Sequence, residues 1–116
     1  MSTQKAMAIG ETIAKNYLTE NGYKITGENV RYKGSEIDII AIDPKDGYYV
    51  FVEVKYRSNK GGFHPLEAVT SNKIACLKKG ATLYLLKNKI YERVDVRFDV
   101  ITVIGDEIDE HIKNAF

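Results

Sequence analysis

Asp38, Glu53 and Lys55 have the residue types and the spacing to assemble a metal-assisted hydrolytic centre. Glu53 and Lys55 lie in Tyr48 to Tyr56 (YYVFVEVKY), the strongest strand signal in the chain, rich in β-branched and aromatic residues. Alternate side chains of a strand share a face. Tyr49, Phe51, Glu53, Lys55 and Arg57 therefore point one way, and Val50, Val52, Val54 and Tyr56 the other. In the preceding apolar run Glu36, Asp38, Ile40 and Ile42 share a face. Asp43-Pro44-Lys45-Asp46-Gly47 is a strong turn, so the two runs predict an antiparallel hairpin. Pairing Asp43 with Tyr48 as a guide sets Asp38 opposite Glu53.

Two carboxylates converging in a half-buried place repel each other, and without a cation one should stay protonated. Oxygen ligands of this kind suit Mg²⁺ or Mn²⁺. Such an ion can bind a phosphate oxygen, polarise phosphorus and lower the pKa of an attacking water. An adjacent lysine can orient that water or steady the growing negative charge. Taken alone, Glu53 and Lys55 are accounted for by a salt bridge at a sheet edge, and Asp38 by a turn or edge position. The combination on paired strands points to chemistry. Glu11 is a further carboxylate on the flank of a helical apolar stripe, where half-burial would call for a partner. Lys73, after Thr70 and Ser71 early in a second helix, could contact phosphate; a solvated lysine is the plainer reading.

The elements that must hold these residues follow from periodicity. Thr3 to about Glu20 predicts a helix, with Ala6, Ile9, Ile13 and Tyr17 at helical spacing and Ala14 and Leu18 widening the stripe. Tyr23 to Tyr32 reads as short β-like pieces around Lys24–Ile25 and Asn29–Tyr32. Glu36 to Ile42 and Tyr48 to Tyr56 are the hairpin. Ser58 to Phe63 reads as a loop, and Pro65 to about Lys87 as a long helix that Gly80 weakens slightly. Val94 to Ile104 is a further strand and Asp106 to Asn114 a short terminal helix. The order predicts an α/β fold with a mixed sheet flanked by helices.

The chain has 116 residues, which suits one domain spanning 1–116. Its one cysteine, Cys76, permits no internal disulfide and fits a reducing compartment. No run approaches the ~18 apolar residues of a membrane span, and the start of the chain has no apolar signal core. The expectation is a cytoplasmic protein with no membrane partner. A formal net charge of +1 requires any polyanion-binding charge to be local, supplied by a metal, or both.

Across most of its length the sequence resembles the YraN-type (UPF0102) family of small bacterial proteins, placed among the PD-(D/E)XK restriction-endonuclease-like nucleases near archaeal Holliday-junction resolvases. The residues that carry the resemblance are Gly10-Glu11 with Ala14 and Tyr17-Leu18, Gly22-Tyr23, Asn29 and Arg31, the Glu36 to Ala41 stretch, Val50 to Lys55 with Arg57, Glu67-Ala68-Val69 with Lys73, and Arg97 to Ile101. The resemblance implies a three-layer sandwich with an αβββαβ core. It implies Asp38 and Glu53 as metal carboxylates, Lys55 as the catalytic lysine and Glu11 as a helix glutamate brought to the metal. The carbonyl of Val54 could add a ligand. Arg57 and Lys60 would face a DNA backbone, and Lys73 would be a basic position on the helix after the catalytic strand. Glu36 would help to bind a second ion or brace a basic side chain, and Arg97 and Asp99 would form a structural pair. The family usually has glycine directly before the E-I-D stretch, where this chain has Ser35.

The function expected is a Mg²⁺- or Mn²⁺-dependent endonuclease acting on DNA, including branched DNA, with a homodimer as the unit that cuts two strands. The alternatives are a non-catalytic nucleic-acid-binding accessory module of DNA repair or recombination, and a protein-interaction domain that keeps the carboxylates only as structure.

Overall fold

An apolar run bounded by turn residues must bury both its faces, and the run around Ile39 does so at the heart of a sheet. The computed structural model describes residues 3–57 and 69–116, with side chains from residue 8 onward. The element order is α1 (Thr3–Glu20), β1 (Lys24–Tyr32), β2 (Ser35–Ile42), β3 (Tyr49–Arg57), α2 (Ser71–Lys87), β4 (Val96–Ile104) and β5 (Glu107–Ile112). The strands form one five-stranded sheet in the order β1-β2-β3-β4-β5. Pairing is antiparallel except between β3 and β4, which run parallel. Parallel neighbours need a crossover connection, and the segment carrying α2 supplies it.

The helices cover opposite faces. Ala14 and Leu18 of α1 pack with Ile39, Ala41, Val50, Val52, Ile101 and Val103, while Leu77, Ala81 and Leu85 of α2 pack with Ile37, Ile40 and Phe51. Helix, mixed sheet and helix make the α/β sandwich of the restriction-endonuclease type that the sequence predicts. Each fully buried Ile or Leu contributes about 1.5–3 kcal/mol. Among the described residues, no helix is long and apolar enough to cross a membrane.

Two helical glycines let the layers close up. A Cβ on Gly10 would stand 2.9 Å from Tyr56 Cβ, and one on Gly80 would stand 3.1 Å from Ser35 Cβ. Gly80 is thus a contact point for α2 rather than a weakness in it. Ser35 fastens the same contact, its hydroxyl donating to the Cys76 carbonyl at 2.7 Å.

At the hairpin-turn end of the sheet a buried guanidinium gathers three acids. Arg97 donates through Nε and Nη2 to Asp99 and through Nη1 to Asp43 (2.9 Å) and Asp46 (3.2 Å). Its Nη2 also reaches the Tyr23 hydroxyl, which donates to Asp43. Asp99, wholly buried, further meets His111 Nε2 at 2.7 Å, and His111 Nδ1 meets the Tyr17 hydroxyl. Burial alone would raise both acids. The Lys45 N–H, Arg97 and Tyr23 outweigh it at Asp43, and His111, Arg97 and the Asn114 N–H outweigh it at Asp99, so both carboxyls sit below their usual range. The Arg97–Asp99 pair expected from the sequence is present.

Beyond shifts of one or two residues at the ends of β2, β3 and β4, the structure corrects the sequence reading at three places. The terminal segment is strand β5, not a helix: Gly105 takes φ 63 and folds the chain back onto β4. Helix α2, within the described residues, starts at Ser71; Thr70 is extended (φ −75, ψ 163) and caps it, so Val69 and Thr70 lie outside the helix. The pieces of β1 join into one strand with a register shift between Ile25 and Gly27.

Gly10→Ala should lower stability by about 1 kcal/mol or more in urea unfolding, because overpacking against Tyr56 exceeds the helix-propensity gain; a stabilised variant would show the layers to be looser than this. Arg97→Met should cost about 3–5 kcal/mol near neutral pH by leaving buried acids unpaired. The cost should shrink in acid, because the advantage of carboxyls held low is present above their unfolded pKa and is lost as pH falls through the folded one.

Candidate active site

The β2–β3 ladder runs from Ile42–Tyr49 to Ile39–Val52 and then stops. Its register is the one predicted from the turn, so Asp38 and Glu53 are the next residues across from each other. Instead of continuing the backbone ladder, Asp38 Oδ2 accepts the Val54 N–H at 2.8 Å. On the other side of β2 the residue opposite Asp38 is Asn29, which has φ 48 and is skipped in the β1–β2 pairing. Ile37 packs with Ile40 toward α2, although strict alternation would put it with Ile39 and Ala41 toward α1. Strand β2 therefore rolls about its axis at Asp38, where the sheet opens.

Glu53 is buried, with 5% exposure. Its Oε1 lies 3.4 Å from Lys55 Nζ and 3.7 Å from Lys73 Nζ. Its Oε2 is buried and has no hydrogen-bond partner among the described residues. Strand alternation places Lys55 beside Glu53. The Thr70 cap places Lys73, its Oγ1 accepting the Lys73 N–H in the first turn of α2. Glu11 comes from α1, which Gly10 allows close to β3. It is half-buried, and its side chain interacts with those of Asn29 and Asp38.

The structure thus brings together Asp38, Glu53, Lys55, Lys73 and Glu11. Arg57 ends β3 two positions beyond Lys55, its carbonyl accepting the Gly105 N–H. Lys60 lies outside the described residues. Glu36 stands 3.5 Å from Arg31, a long ion pair at the surface. Sequence reasoning assigned no task to Asn29. Its available signal was the readiness of asparagine to adopt the left-handed conformation.

Burial pushes the Asp38 carboxyl up to about 7, the negative charges of Glu53 and Glu11 add to this, and the Val54 N–H and Lys73 oppose it. Glu11 is also raised, first by burial and then by Glu36 and Glu53. Among the described residues no three His, Cys, Asp or Glu side chains form a ready metal cage. Mg²⁺ does not require one, since it is commonly held by one or two carboxylates with its remaining positions filled by water and substrate oxygens. The orphaned Glu53 Oε2 and the raised Asp38 are the features that a divalent cation would relieve, so the residues fit such an ion.

The sequence model of Uncharacterised protein family UPF0102 matches residues 10–103. The chain belongs to the UPF0102 family. A UPF0102 protein of Lachnoclostridium phytofermentans is 47% identical over 106 residues, covering 91% of this chain and 87% of its own. One of Acetivibrio thermocellus is 45% identical over 120 residues, covering 96% and 90%. One of Trichlorobacter lovleyi is 41% identical over 112 residues, covering 93% and 87%. The UPF0102 match takes in every residue gathered at this site and ends before β5.

The raised Asp38 predicts a pH signature. Below the ordinary carboxylate range the group is protonated in both folded and unfolded chains and costs nothing. As pH rises from about 4 through about 7 the unfolded chain releases this proton more readily, so metal-free stability falls. Melting in EDTA should show Asp38→Asn overtaking the wild type toward pH 8, and Mg²⁺ should raise the wild-type midpoint more at pH 8 than at pH 5. Parallel pH profiles for the two proteins would exclude a strained carboxyl at Asp38.

Proposed function

We propose that this UPF0102 chain is a divalent-cation-dependent nuclease that hydrolyses phosphodiester bonds in DNA. The observation that carries the reading is the buried Glu53, with one oxygen facing Lys55 and Lys73 and the other unpartnered among the described residues, beside an Asp38 whose charge is disfavoured. Asp38 and Glu53, with Glu11 at the flank, would hold Mg²⁺ or Mn²⁺, which when bound neutralises these acids, polarises phosphorus and acidifies water.

The chain's own residues do the rest. The Val54 N–H holds one oxygen of the Asp38 carboxylate in place. Lys55 is only 29% exposed and stands next to Glu53, close enough to orient water or stabilise the charge that develops on the phosphoryl oxygens. Lys73, more open to solvent, would bind a phosphate that displaces it from Glu53. Arg57 and Lys60 would extend the contact along the backbone. The net charge is only +1, and β5, at the opposite edge from β1, carries Glu107, Asp109 and Glu110, so phosphate contacts would be local, through Lys55, Lys73 and the cation. A chain this size covers only part of a branched DNA, so cutting two strands of a junction would take a second copy.

The test is cleavage of labelled linear, single-stranded, flap and four-way DNAs with Mg²⁺, Mn²⁺ or EDTA, wild type beside Lys55→Ala. Cutting should require the metal and fall by roughly 10²-fold or more in the variant, with its melting curve retained. Metal-dependent cleavage that persists in purified Lys55→Ala would sink the assignment. Metal-independent DNA binding without turnover would instead favour an accessory binding module.

A further inference from the structure

A cleft of about 600 Å³ opens beside the acidic centre, between the β1–β2 turn and the start of α2. Its size is within the roughly 300–1,000 Å³ of clefts that take small ligands. Its lining includes Arg31, Tyr32, Glu36 and Lys73. Two of these residues tie it to the centre already described. Lys73 Nζ is 3.7 Å from Glu53, and Glu36 is near enough for its charge to act on Glu11.

The combination of groups is specific. A site for phosphate alone would gather cations and exclude acids. This cleft holds two cations, an aromatic ring and a carboxylate. The Arg31–Glu36 pair is long, at 3.5 Å, and the arginine is 74% exposed, so the pair contributes little and can open for a ligand. A nucleotide presents the complementary set: a phosphate for Arg31 and Lys73, a π-face for Tyr32, and amino groups on its base edge for Glu36. In a duplex that base edge is paired and the π-face is stacked, so only an unpaired nucleotide offers all three.

We infer that this cleft is a subsite for an unpaired nucleotide next to the phosphate held at the acidic centre, which would direct the protein to single-stranded or flapped segments. The inference rests on the nuclease reading for the neighbouring centre but is measured by binding alone. Tyr32 stacks on the base, Glu36 accepts from an exocyclic amino group, and Arg31 and Lys73 hold the flanking phosphates. Cytosine carries such an amino group and thymine does not.

The chain contains no tryptophan, so Y32W introduces a single reporter. Its emission is followed during titration with an oligodeoxycytidylate octamer, an oligothymidylate octamer, an abasic octamer and a blunt duplex, in EDTA and in Ca²⁺, alongside anisotropy of the labelled nucleic acids. The base-bearing single strands should quench the emission, and the abasic strand should not. Tyr32→Ala should weaken single-strand binding roughly ten-fold and leave duplex binding unchanged. Glu36→Gln should reduce the preference for cytidylate over thymidylate. Single-strand binding by anisotropy with no quenching, and with full affinity in Tyr32→Ala, overturns the cleft and leaves the nuclease reading standing. Failure of every oligonucleotide to bind under either condition removes both.

Discussion

Arg97, buried beneath the β2–β3 turn, binds Asp43 at the end of β2, Asp46 within the turn and Asp99 on its own strand. Through Asp99 the same cluster reaches His111 on β5 and Tyr17 on α1. One guanidinium thus joins the hairpin to the second half of the sheet. In a sheet with both faces covered, a slip of one residue would exchange the faces of every side chain. The pairing of Ile39 with Val52, and with it the meeting of Asp38 and Glu53, is therefore held from the opposite end of the strands.

The two ends treat their acids differently. Asp99 is fully buried, yet each of its oxygens is hydrogen-bonded. Glu53 is almost as buried and keeps one oxygen unpartnered among the described residues, and Asp38 is driven toward its protonated form. A buried group without its hydrogen bond costs on the order of 1–3 kcal/mol, and more when charged. The fold concentrates that cost at the point where β2 and β3 separate. The apolar packing of Ile39, Val52 and Phe51 just behind this point supplies the rigidity that holds the groups in place.

Much of this was legible in the residues. Asp43 to Gly47 encodes the turn and hence the register, and strand alternation places Glu53 and Lys55 together. From periodicity Glu11 was legible only as a polar residue flanking an apolar stripe, and its approach to the acids came from the family resemblance. What brings it close is Gly10 against Tyr56, and a missing side chain leaves little pattern to read. The roll of β2 at Asp38 lies across from Asn29 in its left-handed conformation, a juxtaposition beyond the reach of periodicity. In segment 106–114 Ile108 and Ile112 are four residues apart, a spacing that a helix face also shows. Pairing with β4 decided its conformation. The cleft at Arg31, Tyr32 and Lys73 joins residues distant in sequence, so only the fold reveals it.

Strand β5 has consequences for how copies of the protein meet. It forms one outer edge of the sheet, and Glu107, Asp109 and Glu110 are distributed along it, with an irregularity in its pairing between Thr102 and Val103 of β4. An exposed edge is a template for uncontrolled strand addition, and charge and irregular pairing are what discourage it. Two such edges brought together would set acid against acid. The sheet thus resists growing into a continuous ribbon or fibril from this side, and an ordered assembly of copies would be made through helices or loops instead.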